Sequence, residues 1–381
     1  MTKTTLTWIT AALVLVAAGL THLRAADAPA ATPAKKPLVQ IAILLDTSNS
    51  MDGLIDQAKT QLWTIVNEFA RASRDGQRPE IEVALYHYGT PSLGEKTGYI
   101  KQLTPLTNDL DKVSEQLFKL KTDGGDEYCG WVVKNATEEL KWSPDKDAYK
   151  AIFVCGNEPF TQGPVDYKTS VKAAITKGII VNTIFCGDDL EGINTNWKDG
   201  ATLGEGNYMS INQNKKVVAI AAPQDKEISE LNTKLNTTYV RYGKAGDEGA
   251  QRQAAQETNA ASAGSAVLVE RAAAKSSGSY QNAGWDLVDA AKNKQVKLDE
   301  IKKEDLPAEM KDLDPKAREA YIAQKAQERA DIAKKIQELA AERAKFIAAQ
   351  QKATGEKTLD AAVLEAVHTQ AQRVQLQFEK K

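Results

Sequence analysis

Residues 39–51 read Val-Gln-Ile-Ala-Ile-Leu-Leu-Asp-Thr-Ser-Asn-Ser-Met, an apolar run that stops at Asp46 and is followed by hydroxyls at Ser48 and Ser50. The apolar part has the length of a strand buried on both faces, which is how a central parallel strand reads. A helical pattern begins near Gly53, so the three oxygen donors stand where a strand passes into a helix. In open α/β sheets, ligands collect at that carboxyl edge. One carboxylate and two hydroxyls at alternating positions suit a hard cation, Mg²⁺ first and Mn²⁺ or Ca²⁺ after it, with positions left for water or a ligand. The plain alternative is a capped helix, in which Ser50 or Asp52 accepts hydrogen bonds from first-turn amides and does nothing more.

Working outward, strand-like segments at 38–45, 81–88, 98–103, 150–155, 179–185 and 207–211 alternate with helix-like segments at 52–73, 109–119, 129–141, 166–177 and 225–239. Alternation at this spacing predicts a doubly wound, mostly parallel six-stranded sheet with helices on both faces. The segment 98–103 follows its neighbour through a connection too short for a crossover helix, so it is expected as an antiparallel edge strand. This α/β domain spans residues 38–243. Residues 244–284 are rich in Ala, Gly, Ser and Gln and read as a linker with helical segments at 247–260 and 263–275. Residues 285–381 read as an α-helical C-terminal region. There Asp314-Pro315 opens a long helix, Asp314 as cap and Pro315 at the favoured first position. Its apolar stripe, Ile332, Ile336, Leu339, Phe346 and Ile347, is interrupted by Arg343 and is too short for a long coiled coil. Packing within the molecule is the plain expectation for it, and self-association through a short coiled-coil helix is the sharper one. A last amphipathic helix is expected over 358–378, using Leu359, Val363, Leu364, Val367, Val374, Leu376 and Phe378.

The chain has 381 residues, 49 of them basic and 51 acidic. Residues 1–25 read as a secretory signal: Lys3 gives a basic start, Trp8 to Leu20 an apolar core, and Leu23-Arg24-Ala25 a cleavage site, with Ala26-Asp27-Ala28 as a second candidate. That core is too short to span a bilayer, and no second long apolar run follows, so the expectation is an exported periplasmic or secreted protein with no integral membrane segment. A Pro/Ala linker occupies residues 26–37. Without Lys3 and Arg24, 47 basic residues face 51 acidic ones, which does not favour a nucleic-acid partner.

Two further loops accompany the first. Thr122-Asp123-Gly124-Gly125-Asp126-Glu127 is a polar Gly-Gly loop, and Cys155-Gly156-Asn157-Glu158-Pro159-Phe160 follows another buried strand. In this order of features, with Trp197, Gly204-Glu205-Gly206 and Tyr208-Met209-Ser210-Ile211 near its end, the chain resembles a von Willebrand factor A-type (vWA) domain over residues 38–243. The segment Gly156 to Pro164 is similar to that of secreted bacterial members. The resemblance implies a metal-ion-dependent adhesion site (MIDAS) made of three loops. Carried over, Asp46, Ser48 and Ser50 are its first-loop ligands, and Asp126 stands where a Thr usually follows Gly-Gly. The third loop departs from the pattern: Gly156 stands where the family usually has Asp, and Asn157 and Glu158 are displaced along the chain. The expected metal set is therefore Asp46, Ser48, Ser50 and Asp126, with a degenerate site that only braces its loops as the alternative.

Cys155 and Cys186 each end a predicted strand, and adjacent strands lie about 4.8 Å apart, within reach of a disulfide. Cys129 could instead pair with Cys155, and three buried thiols are an equal alternative. After export only His87 and His368 remain, which excludes a multi-histidine zinc site and leaves little for a Ser–His relay. The reading is a non-enzymatic protein-binding module of the cell envelope, cation-dependent through the top face of the sheet. The runner-up is a structural or assembly protein acting through its C-terminal helices, with a vestigial metal site.

Overall fold

Along the first strand, Ile41 and Leu45 enter one core while Ala42 and Leu44 enter another, and all four are buried. Apolar side chains on both faces are what places a strand in the middle of a sheet with helices on each side. The computed structural model describes residues 36–212, 220–354 and 359–378. The expected signal segment and all of the Pro/Ala linker before Lys36 lie outside the described residues, as does the side chain of Leu359.

From β1 (Leu38–Asp46) the chain passes through a 3-10 turn into α1 (Asp52–Ala70), then β2 (Ala72–Ser73), β3 (Glu80–Tyr88), β4 (Ile100–Thr107), α2 (Leu110–Lys119) and α3 (Cys129–Glu139). It continues through β5 (Tyr149–Gly156), α4 (Tyr167–Thr176), β6 (Ile180–Cys186), α5 (Asp189–Asn194), α6 (Trp197–Leu203) and β7 (Glu205–Ile211). The six-stranded sheet has the order β4-β3-β1-β5-β6-β7, and only β4 is antiparallel to its neighbour. The expected antiparallel edge strand is present, but it runs on through Pro105 to Thr107. An edge strand tolerates a proline because one side of its ladder needs no donor. The short helices α5 and α6 escaped the sequence reading, although Asp188 caps α5 by accepting from the amides of Leu190 and Glu191.

Two cores flank the sheet. One gathers α3, α4 and Trp197 of α6, and the other gathers α1, α2 and residues from the far end of the chain. That far end comprises α7 (Asp225–Asn236), α8 (Ala245–Ala263), α9 (Ser265–Lys275), α10 (Leu287–Lys292), α11 (Pro315–Thr354), α12 (Leu359–Ala371) and β8 (Gln377–Phe378). Contacts join the described residues from Lys36 onward into one compact unit. The segment read as a linker with helical segments folds as α8 and α9, whose Ala260, Val267 and Ala274 join the α1/α2 core.

The helix expected at 225–239 does not lie on the sheet. Its Ile228, Leu231 and Leu235 pack instead with Val269 and Ala272 of α9 and Ile336 of α11, where Ile332 and Leu339 also settle. The sheet face is completed by α12, through Val363, Val367 and Ala371. Burial of such side chains is worth about 1.5–3 kcal/mol each for the larger ones, so α12 is part of the core that holds the sheet together. The last expected helix also ends early: Gln375 takes φ 58°, and Phe378 pairs with Ala72 in a two-stranded sheet. Arg343, which interrupts the α11 stripe, is buried and bound by Asp225 at 2.7 Å and Glu270 at 2.6 Å. Among the described residues, no helix is long and apolar enough to cross a membrane.

Candidate metal centre

β1 ends at Asp46 on the carboxyl edge of the sheet, and three loops converge there. Thr47 ties the first loop to β3, its amide donating to Tyr88 O at 2.8 Å and its hydroxyl to the same oxygen at 3.0 Å. The carbonyl of Thr47 accepts from the Asp123 amide at 2.9 Å, which brings in the second loop. The Glu127 amide donates to Gln162 Oε1 at 2.8 Å, joining second loop to third. The third loop is anchored below by Trp197, whose indole N–H donates to Glu158 O at 2.8 Å while its ring meets Phe160 at 5.0 Å.

Within this frame Asp46 is fully buried. Its Oδ1 accepts from the Ser48 amide at 2.7 Å, but Oδ2 has no hydrogen-bond partner. Ser48 Oγ and Asn157 Oδ1 are buried and equally unpartnered, although the Ser48 hydroxyl lies close to both the Asp46 and Glu127 carboxylates. Asn157 reaches back with its Nδ2 to Ser50 Oγ at 3.3 Å, so the third-loop amide and the first loop share one pocket of oxygens. Ser50 itself is exposed, and the 3-10 turn and α1 begin without a side-chain cap, so neither Ser50 nor Asp52 serves the capping role.

The second loop turns a neighbour of the expected ligand inward. Asp126 is exposed, whereas Glu127 is buried beside Asp46. Neighbouring residues of an irregular loop point in unrelated directions, and no periodicity tells which of two adjacent acids turns inward. The signal that distinguishes Glu127 is its bond to Gln162, and that exists only in three dimensions. Burial raises the pKa of Asp46 to about 7, against the pull of the Ser48 and Asn157 groups and with a further push from Glu158. Burial likewise raises Glu127 to about 8, helped by Asp46, Glu158 and Asp126. Two carboxyl groups held this way bind protons at neutral pH unless a cation neutralises them.

Gly156 occupies the usual Asp position, and the space there is taken. A Cβ on Gly156 would stand 2.7 Å from the Tyr88 hydroxyl and 3.1 Å from Asp46 Oδ2. The Tyr88 hydroxyl donates to Cys155 O at 2.8 Å, so this contact is fixed by a buried bond. Among the described residues, no group of three or more His, Cys, Asp or Glu side chains is arranged to hold a metal ion. The donors that do converge are two carboxylates, hydroxyls and an amide oxygen, a set for a hard cation.

All three cysteines are buried and free. Cys129 belongs to the α3/α4 core and Cys155 to the opposite one, so the sheet separates that pair. Cys155 stands opposite Ile184, two residues short of Cys186 on the neighbouring strand. His87 is held neutral, burial lowering its pKa to about 4 with a further push from Lys101, and its Nδ1 lies 3.1 Å from Thr47 Oγ1.

Residues 40–196 match the von Willebrand factor type A domain. No curated protein sequence matches the chain. Among solved structures, BatB from Bacteroides thetaiotaomicron is similar at 18% identity and a TM-score of 0.34, over 46% of this chain and 90% of that one. Proximal thread matrix protein 1 from the mussel byssus, solved with a zinc-occupied MIDAS motif, is similar at 15% identity and a TM-score of 0.35. That match covers 48% of this chain and 43% of the mussel protein, so less than half of the relative is represented. A von Willebrand factor type A protein from Catenulispora acidiphila is similar at 16% identity and a TM-score of 0.34, over 46% of this chain and 39% of that one. The stretch that matches this family, residues 40–196, carries Asp46, Ser48 and Ser50 at the end of its central strand.

Proposed function

We propose that this protein is a non-enzymatic, exported binding module of the cell envelope whose top face captures a protein partner through a divalent cation. The observation that carries the reading is the trio of buried, unpartnered oxygens on Asp46, Ser48 and Asn157. Leaving a buried polar atom unpaired costs about 1–3 kcal/mol, so three at one strand end call for a ligand that pairs them. Asp46, Ser48 and Ser50 would hold the ion from the first loop, Glu127 from the second and Asn157 from the third. Asp126, the ligand expected from sequence, would act from the exposed rim. The charges of Asp46 and Glu127 balance a divalent ion, and oxygen-only donors favour Mg²⁺, Mn²⁺ or Ca²⁺. The ion would supply an open coordination position for a carboxylate of the partner, as the family resemblance implies.

The alternative, assembly through the C-terminal helices, has less to stand on. Ile332, Ile336 and Leu339 already pack against α7 and α9, and Arg343 is paired inside the molecule. Deleting residues 285–381 would not separate the two readings, because α12 is part of the sheet's core. Calorimetry with Mg²⁺ and Mn²⁺ on wild type and Ser48→Ala does. Binding heat and a raised melting temperature are expected for the wild type and not for the variant; absence of both in the wild type ends the metal reading. A pull-down from envelope extract with and without chelator tests the partner, and equal capture in both arms ends cation dependence.

A further inference from the structure

Beside the candidate metal face the loops leave a cleft of about 540 Å³, lined by Glu95, Lys96, Tyr128, Trp131, Gly163 and Pro164. Its aromatic walls are held in place. Tyr128 and Trp131 lie nearly parallel, with 4° between their ring planes and 6.3 Å between centroids, and Tyr99 meets Tyr128 edge-on at 5.6 Å. Backbone runs directly against both walls at two left-handed glycines. A Cβ on Gly98 would stand 2.6 Å from Trp131 Cδ2, and one on Gly163 2.5 Å from Tyr128 Cδ1. Each ring thus has backbone packed against it and still borders the cleft.

The charge around these rings is net acidic. Glu95 and Asp126 are both exposed; desolvation raises the pKa of the Tyr99 phenol, and both carboxylates add to that rise. Neither carboxylate is engaged in an ion pair among the described residues. Lys96 is the cation among the lining residues, and it leaves the two acids in excess.

We propose that this cleft receives an arginine side chain of the protein partner, its guanidinium against Trp131 and Tyr128 and paired with Glu95. A planar guanidinium stacks on aromatic faces and donates two parallel hydrogen bonds to a carboxylate, whereas an ammonium keeps its water more strongly. An acidic occupant would meet Glu95 and Asp126, and a purely apolar one would leave Glu95 without a role. The proposal rests on the reading of the top face as protein-binding. It assigns the cleft to a contact separate from the cation.

The test is a titration of the full chain with the peptide acetyl-Gly-Gly-Arg-Gly-Gly-amide and its citrulline twin, which keeps the shape and removes the charge. The readout is the indole N–H resonance of Trp131, assigned by Trp131→Phe. A saturable shift with a dissociation constant of about 1 mM is expected for the arginine peptide. Citrulline should bind about fivefold more weakly, and Glu95→Gln should bring the arginine peptide to that level. Glu95 is exposed, so its substitution leaves folding intact. Binding should persist in Ser48→Ala with chelator, so failure of the metal reading leaves this result readable. An unmoved Trp131 resonance, equal affinity for both peptides, or indifference to Glu95→Gln overturns the proposal.

Discussion

At the carboxyl edge of the sheet, Asp46 Oδ2, Ser48 Oγ and Asn157 Oδ1 are buried without partners, whereas the charges buried between α2, α8 and α9 all have partners. In the second cluster Arg271 reaches Asp111 at 2.5 Å and Glu257 at 2.8 Å and stacks over Trp63 at 5.0 Å. Lys275 holds Glu257 at 2.7 Å and Asn232 at 3.0 Å, and the Tyr280 hydroxyl donates to Asp111 at 2.6 Å. The electrostatics follow the pairing. Burial would raise Glu257, but Lys275 and Arg271 pull it down to about 2, while Asp46 and Glu127, with no cation to oppose burial, rise to about 7 and 8. Both clusters are costly to desolvate, yet only one meets that cost from its own side chains. The paired cluster fastens α8 and α9 to α2; the unpaired oxygens are those to which the proposed cation would bind.

The sharpest way to break this comparison is to unpair the paired cluster. Arg271→Met leaves Asp111 and Glu257 short of their shared cation and should destabilise the fold by about 3–5 kcal/mol in urea. A loss below about 1 kcal/mol would mean that the network is not what fastens α8 and α9 to α2. The next largest effect lies at Asp46, with the opposite sign. Its folded pKa, about 7, lies above the ordinary value of 3.8, so the folded state holds the proton more tightly. Stability of the metal-free protein should therefore fall as pH rises from about 4 to about 7, and the same direction holds for Glu127 up to about 8. Asp46→Asn removes its share of that loss and should be more stable than wild type at pH 8 with chelator, by about 2–4 kcal/mol. Adding Mg²⁺ should restore the wild type and leave the variant unchanged. A wild-type profile flat between pH 5 and 8 in chelator would break the comparison from this side.

How much of this was legible in the sequence depends on what each residue's position is decided by. Val39–Asp46 announced a central strand because burial on both faces leaves a continuous apolar run, and the alternation beyond it was enough for a mostly parallel six-stranded sheet and its antiparallel edge, though not for the strand order. The place of Asp46, Ser48 and Ser50 at the carboxyl edge of the sheet was legible because a strand end fixes where the chain turns. Glu127 was not, because its inward turn depends on Gln162, thirty-five residues away in sequence. Nor was the exchange of α7 for α12 on the sheet: both helices are amphipathic, and the choice is made by long-range contacts such as Gln370 with Asn182 at 2.6 Å and Asn207 at 2.8 Å. Arg343 read as a flaw in an apolar stripe for the same reason, since Asp225 and Glu270 lie far from it in the chain.

A smaller effect tests why the third loop carries no acid. Gly156→Ala puts a methyl against the Tyr88 hydroxyl and Asp46, and should cost about 1–3 kcal/mol of stability. If it costs nothing, Tyr88 yields easily, and the crowding does not explain the missing aspartate.

The smallest expected effect separates the two neighbouring acids of the second loop. Asp126 is exposed, so Asp126→Asn should change stability by no more than about 0.5 kcal/mol. Its charge faces solvent, where salt screens it, so the substitution should weaken Mg²⁺ affinity by no more than about threefold. Glu127→Gln keeps the shape of a side chain buried against Asp46 and removes half the carboxylate charge there, so it should remove measurable binding heat. Calorimetry on the two variants side by side decides between them. If Asp126→Asn abolishes binding and Glu127→Gln does not, the second loop must turn over when the cation arrives. The buried, unpartnered oxygens would then describe a resting arrangement of the site, with its exposed acid held in reserve as the ligand.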